Sequence, residues 1–216
     1  MNLENSTKTF TQTQEIIVDR FIKLSTLYSS QYHEIIYIYD KLLDKNSVLK
    51  YLKPDFVTLN NKKLLKEEFL KIISLRSNNV VRAYELYDNE NQYFYSMEYI
   101  DSEFNKENFS IYVDSILDTF KYIHDNKIIH NDIKNNNFIF NDKLFILIDF
   151  SFAKRINSIN EVIEENRKLV RYLIYWINHL FNIDFLNKPK KARRYISERA
   201  INNIISIYNN DNSFIY

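Results

Sequence analysis

Between Ile128 and Lys154 the chain sets two carboxylates and a carboxamide against two short apolar runs. His130-Asn131-Asp132 is followed at Asn137 by the start of the first run, Phe138-Ile139-Phe140. After the turn Asn141-Asp142-Lys143 comes the second, Leu144-Phe145-Ile146-Leu147-Ile148, which ends on Asp149-Phe150-Ser151. Two strands flanking a turn place Asp132, Asn137 and Asp149 at one end of a β-hairpin. Hard oxygen ligands in such a group suit magnesium and phosphate, with one carboxylate left over to orient a hydroxyl.

Elements must hold that group in place, and composition bounds what they are. The chain has 216 residues, enough for one domain or two small lobes. Hydrophobic residues are 45% and aromatics 16%, which allows a sizeable core and argues against wholesale disorder. A net charge of +1 gives no global field toward nucleic acid or membrane. The absence of cysteine excludes a disulfide framework and a thiolate zinc site. Met1 to Thr7 is polar and has no apolar stretch of the signal-peptide kind, and no apolar run reaches membrane-spanning length, so a cytoplasmic location is expected. Residues 1–13 read as a flexible tail. The chain also contains no glycine, so turns that need positive φ must use Asn or Asp.

Along the chain, Phe21-Ile22-Lys23-Leu24 reads as a strand end and Ile36-Tyr37-Ile38-Tyr39 as a strand. A turn at Asp44-Lys45-Asn46 precedes a short strand from Ser47 to Leu52. Leu64 to Leu75 has helical periodicity, with Leu65, Phe69, Ile72 and Ile73 on one face and Glu67 and Glu68 within it. Val81 to Tyr87 and Gln92 to Tyr99 pair across the turn Asp88-Asn89-Glu90-Asn91. Phe109 to Asp125 is an amphipathic helix whose apolar residues include Ile111, Ile116, Leu117, Phe120 and Ile123. Arg167 to Phe181 reads as a buried-type helix and Tyr195 to Tyr208 as a final one. Lys188-Pro189-Lys190-Lys191-Ala192-Arg193-Arg194 carries five cations. It is read equally as a surface for an acidic partner (phosphorylated glycan, anionic lipid or RNA) or as a solvated helix start.

The central stretch resembles the catalytic and metal-binding loops of the protein-kinase-like superfamily, whose signatures are H-R-D-x-x-x-x-N and D-F-G. Asn131 replaces the arginine and Ser151 the glycine. Val48-Leu49-Lys50 is similar to the family's V-A-I-K strand, and the family's loop-closing valine, about fifteen positions earlier, falls on Ile35. The loop glycines then fall on Tyr28, Ser30 and His33, all bearing side chains. Ser30 is read either as a phosphate donor or as part of a plain hairpin turn. Family spacing pairs Glu68 with Lys50, and Met97-Glu98-Tyr99 resembles the hinge whose backbone binds adenine. His130 corresponds to a packed structural residue. There is no A-P-E motif and no long activation segment, as in small atypical kinases such as lipopolysaccharide sugar kinases and the small kinases of tRNA-modification complexes.

The resemblance implies a two-lobed α+β fold. Residues 14–98 would form an antiparallel N-lobe sheet plus one helix, and residues 99–216 a reduced, mainly helical C-lobe. It implies transfer of the γ-phosphoryl group of ATP to an alcohol: Ser/Thr of a protein, or a sugar hydroxyl of a lipopolysaccharide-type glycan. Lys50, paired with Glu68, would hold the α/β-phosphates. Asn137 and Asp149 would hold Mg2+, Asp132 would take the acceptor proton, and Lys134 would neutralise the γ-phosphate. The alternative is a pseudokinase acting as a nucleotide-binding or protein-interaction module, for which the missing glycines speak.

Overall fold

The computed structural model describes residues 16–17, 19–89, 92–142 and 144–209. The tail expected over 1–13, residues Glu90 and Asn91 of the expected turn, and Lys143 lie outside these. Six strands form one antiparallel sheet: β1 (Ile16–Ile17), β2 (Phe21–Ser29), β3 (His33–Asp40), β4 (Lys45–Leu52), β5 (Ala83–Asp88) and β6 (Tyr93–Glu98). Their order is β1-β2-β3-β4-β6-β5. Alternation along β3 buries Ile36 and Ile38, which join Phe21, Leu49 and Phe94 in a small core under the sheet. The register sets Lys50 of β4 directly between Ile35 of β3 and Tyr95 of β6.

Three boundaries move from expectation, each for a local reason. β4 begins at Lys45, because the preceding turn closes on Asp44 in a left-handed conformation (φ 49°). Helix α1 (Leu59–Ser74) starts earlier than Leu64, where the Thr58 side chain accepts the Asn61 N–H. Its buried stripe is Leu65, Glu68, Phe69 and Ile72. Ile73 lies one residue, about 100°, off that stripe and is 44% exposed. Helix α2 (Phe109–Asp125) has the expected limits, but Ile111 is likewise exposed.

The lower lobe is helical, with α2, α3 (Ile159–Phe181), α4 (Pro189–Ala192) and α5 (Glu198–Tyr208). Helix α3 begins well before Arg167 because Glu161 folds back to accept the N–H groups of Asn157 (2.7 Å) and Ser158 (3.3 Å). α5 begins at Glu198 rather than Tyr195, with Ser197 accepting the Ala200 N–H at 3.0 Å. Two small hairpin-like ladders sit between the lobes: β7 (Ile128–Ile129) with β10 (Lys154–Arg155), and β8 (Phe138–Asn141) with β9 (Leu144–Leu147). Val81 and Asn79 bond the two backbone groups of Leu147, tying the upper lobe to β9.

Positive φ occurs, among the described residues, at Asp44, Lys127, Asn131, Asp142, Asp149 and Asn182. Asn and Asp thus take nearly every left-handed position in a chain without glycine. No helix among the described residues is long and apolar enough to cross a membrane.

Candidate active site

Lys50 and Glu68 are both buried, at 4% and 3% exposure, so each charge requires a partner. Lys50 Nζ donates to Glu68 Oε1 at 2.7 Å, and the Tyr95 hydroxyl, one strand over, donates to the same oxygen at 3.0 Å. Asp149, just beyond β9 with φ 60°, accepts from Lys50 at 2.9 Å. Ser151 Oγ lies 2.7 Å from Lys50 Nζ, 2.5 Å from Asp149 Oδ1 and 3.3 Å from Glu68 Oε2. An ammonium group has three protons, and here Glu68, Asp149 and Ser151 take all three. Burial opposes the charge on Asp149, but Lys50 and the Ser151 hydroxyl outweigh it and hold the carboxyl well below the usual range. Burial likewise opposes the Lys50 charge, and Glu68 and Asp149 overcome it and raise its pKa.

The loop from His130 to Asn137 forms the other half. Asn137 is buried, and its Nδ2 donates to both the backbone oxygen and Oδ2 of Asp132, each at 2.8 Å. Lys134 Nζ lies 2.6 Å from the same Oδ2. The hydrogen bond to Asp132 raises the Lys134 pKa, and the charge of Asp149 adds to the effect, so the two halves share one field. His130 packs edge-on against Phe150, and its Nε2 meets Ile148 O at 3.0 Å; burial lowers its pKa, as suits a neutral structural ring.

Glu165 was not anticipated. It is buried on α3, where it accepts from His130 N at 3.2 Å and Asn131 N at 2.5 Å and meets His124 Nε2 at 2.7 Å. A carboxylate one position from the helical stripe Val162, Leu169, Val170, Leu173 was the available signal. It satisfies the backbone of the left-handed Asn131, the position that departs from the family signature.

A family model for the protein kinase domain matches residues 26–173, which include both halves of the site. The chain belongs to the protein kinase domain family. It is 30% identical over 156 residues to "Serine/threonine-protein kinase D" of Synechocystis sp., covering 64% of this chain and 31% of that protein. It is 24% identical over 167 residues to "Probable serine/threonine-protein kinase YbdM" of Bacillus subtilis, covering 66% of this chain and 65% of that one. It is 28% identical over 137 residues to "Serine/threonine-protein kinase PKH2" of Candida albicans, covering 58% of this chain and 14% of that one. The chain thus spans less than two thirds of each of these relatives.

As a protein kinase domain without glycine, the chain builds the β2–β3 hairpin with side chains at its tip. Burial lowers the His33 pKa, and the Lys50 charge lowers it further. No residue from Tyr28 to His33 has positive φ. Instead Ser30 Oγ accepts the N–H groups of Tyr32 (3.3 Å) and His33 (3.0 Å) and lies 3.0 Å from His33 O and 3.1 Å from its Nδ1. The Ser30 hydroxyl is therefore engaged in the turn, which favours the hairpin reading over the free phosphate donor. At the end of β6, Met97 packs on the main core, and the Glu98 side chain turns to accept Arg82 N at 2.7 Å. Tyr99 meets Tyr37 in a tilted contact, with ring centres 4.4 Å apart.

Proposed function

We propose that this kinase domain transfers the γ-phosphoryl group of ATP to an acceptor hydroxyl. The observation that carries this is the convergence of Lys50–Glu68–Asp149 and Asp132–Lys134–Asn137, whose segments are joined where Ile148 N donates to Asn137 O at 3.0 Å. In this reading residues 14–98 hold the nucleotide and residues 99–216 present the acceptor. Lys50 takes the α/β-phosphates, and the backbone around Met97, Glu98 and Tyr99 meets the adenine. Mg2+ fits the donors present: an Asp149 carboxylate and the Asn137 amide oxygen, whose Nδ2 is already committed to Asp132. No group of three or more His, Cys, Asp or Glu side chains suited to a metal exists among the described residues. That matches a cation completed by phosphate oxygens and water, whose chemistry is to neutralise charge on the transferred group.

Asp132 Oδ1 makes no hydrogen bond to the protein among the described residues, while Oδ2 is held by Lys134 and Asn137. The free oxygen accepts the proton of the acceptor alcohol as its oxygen bonds to the γ-phosphorus and the bond to ADP breaks. Lys134 then faces the γ-phosphate. Positioning and electrostatics supply most of the rate. An aliphatic acceptor, Ser/Thr or a sugar hydroxyl, suits Lys134 two residues after Asp132, and a cytoplasmic location suits ATP.

A second reading, a pseudokinase that binds without turnover, is favoured by one observation. The three protons of Lys50 are already taken, and the Ser30 hydroxyl is turned into its own loop. Incubating the pure chain with labelled ATP, magnesium and casein or dephosphorylated glycan decides between them. Label transfer that is lost in Asp132→Asn supports the enzyme. Tight ATP binding without transfer or hydrolysis in the wild type supports the pseudokinase.

A further inference from the structure

A cluster of cations lies away from the phosphotransfer site. Lys188, Lys190, Lys191, Arg193 and Arg194 are all exposed around the short helix α4. Ala192, fully buried, is the foot that anchors this turn, with Phe185 and Ile196 buried on either side. At about 100° per residue, positions 190, 191, 193 and 194 then all point away from the core on one outward arc. The backbone is ordered by bonds from Lys188 N to Asp184 O (2.9 Å), Lys191 N to Lys188 O (3.0 Å) and Tyr195 N to Ala192 O (2.8 Å). The cations are thus presented on a built turn and not on a loose tail.

Nearby acids do not cancel them. Glu198 takes Arg193 at 2.7 Å, and Asp184 bonds Asn187 while standing in the field of Lys188. Asp114 and Asp118 are both taken by Arg199. Lys190, Lys191 and Arg194 make no ion pair among the described residues. Beside them is a groove of about 390 Å3 that includes Lys106, Phe181, Arg193, Arg194 and Tyr195, with Glu107 as its one acidic lining residue against three cations. Tyr195 and Phe181 stack nearly parallel at 4.0 Å, and Lys106 Nζ sits 4.8 Å from the Phe181 ring centre. Both rings are only half-buried.

From this we infer that the α4 turn and its aromatic groove form a binding surface for single-stranded nucleic acid. Several cations on one arc match a chain of phosphates, and the partly exposed Tyr195 ring, backed by Phe181, offers a face on which a base can stack. A lipid surface would use the cations but leaves a recessed aromatic groove unexplained. An acidic peptide would use the cations without a regular repeat of flat rings to match the phosphate spacing. This surface is independent of phosphotransfer and does not need the nucleotide site.

The test is fluorescence anisotropy with a labelled oligouridylate of about twelve nucleotides, titrated with the full chain across a salt series. Saturable binding that weakens linearly in log salt is expected. The double variant Lys190→Gln/Lys191→Gln removes two phosphate contacts, so the slope should become shallower by about 1.4. Tyr195→Leu should weaken binding several-fold and leave the slope unchanged, which bulk loss of fold would not do; circular dichroism confirms folding of each variant. Asp132→Asn should bind as the wild type does. No saturable binding, or a slope indifferent to the double variant, overturns the proposal. So does preferential binding to phosphatidylserine vesicles or to a poly-glutamate peptide.

Discussion

Lys50 and Lys134 each face a carboxylate of the site, and they are held in opposite ways. Lys50 is buried, and all three of its protons go to Glu68, Asp149 and Ser151. Lys134 is about half exposed and meets Asp132 alone, at 2.6 Å. The Lys50 cluster is thus closed on itself, with only Asp149 and Ser151 at its exposed rim, whereas the Asp132 half is open and has an unused carboxylate oxygen. A charged pair in a low dielectric must be fully satisfied or it costs several kcal/mol, so a closed cluster is the stable form of the upper half without ligand. Ser151 is the residue that completes the closure: its hydroxyl stands where a phosphate oxygen could meet Lys50. A glycine there has no such group.

The comparison can be broken at either end. The largest effect is expected from Asp132→Asn, which removes the proton acceptor and keeps the shape. Turnover should fall by about 10²–10⁴-fold with ATP affinity nearly unchanged, read by steady-state kinetics beside calorimetric titration. A parallel loss of affinity would mean that the open half also binds nucleotide. Next comes Glu165→Gln, which puts an amide N–H where an acceptor of backbone N–H bonds is required. The melt should report about 1–3 kcal/mol of lost stability, and kcat should drop more than KM rises, since Glu165 holds the His130 and Asn131 backbone of the loop that bears Asp132, besides meeting His124 on α2.

A smaller effect, of opposite sign, sharpens the contrast. Ser151→Gly frees one proton of Lys50 and should tighten ATP binding about tenfold, near the value of one charge-assisted hydrogen bond. Unchanged affinity would show that Ser151 does not compete with phosphate. The smallest is a pH effect. The Asp149 carboxyl is depressed in the folded state, so its contribution is complete above the unfolded carboxyl pKa of about 4 and is lost as pH falls below that. Thermal stability of the wild type should therefore decline more steeply than that of Asp149→Asn below about pH 4, and equal slopes would remove Asp149 from the closed cluster.

Much of the site is legible in one dimension because its parts sit on local spacing. The interval from Asp132 to Asn137 is bridged within a single turn, and Lys50 follows the hairpin by a length that β3 and β4 set through their own pairing. Glu68 was legible through the family spacing that pairs it with Lys50, and the buried stripe of α1 holds it there. Glu165 and Ser151 were not, since their partners lie 34 and 101 positions away at Asn131 and Lys50. The two readings of Ser30 stayed open in the sequence for a related reason: a hydroxyl can serve a ligand or its own backbone, and the folded hairpin sets it against its own backbone.

By itself, then, the order of residues determined the strand and helix types and the use of Asn and Asp at left-handed turns, while the two-lobed α+β arrangement was implied by the resemblance of its motifs to the protein-kinase-like superfamily. The first two follow from local sterics and periodicity, which act within a few residues. The tertiary structure alone decided that the Lys50 cluster closes on itself, that α3 anchors the Asn131 backbone, and that four cations share one outward arc beside a stacked aromatic pair. Each of those depends on how burial divides protons and charges among groups far apart in the chain, and burial is a property of the packed molecule.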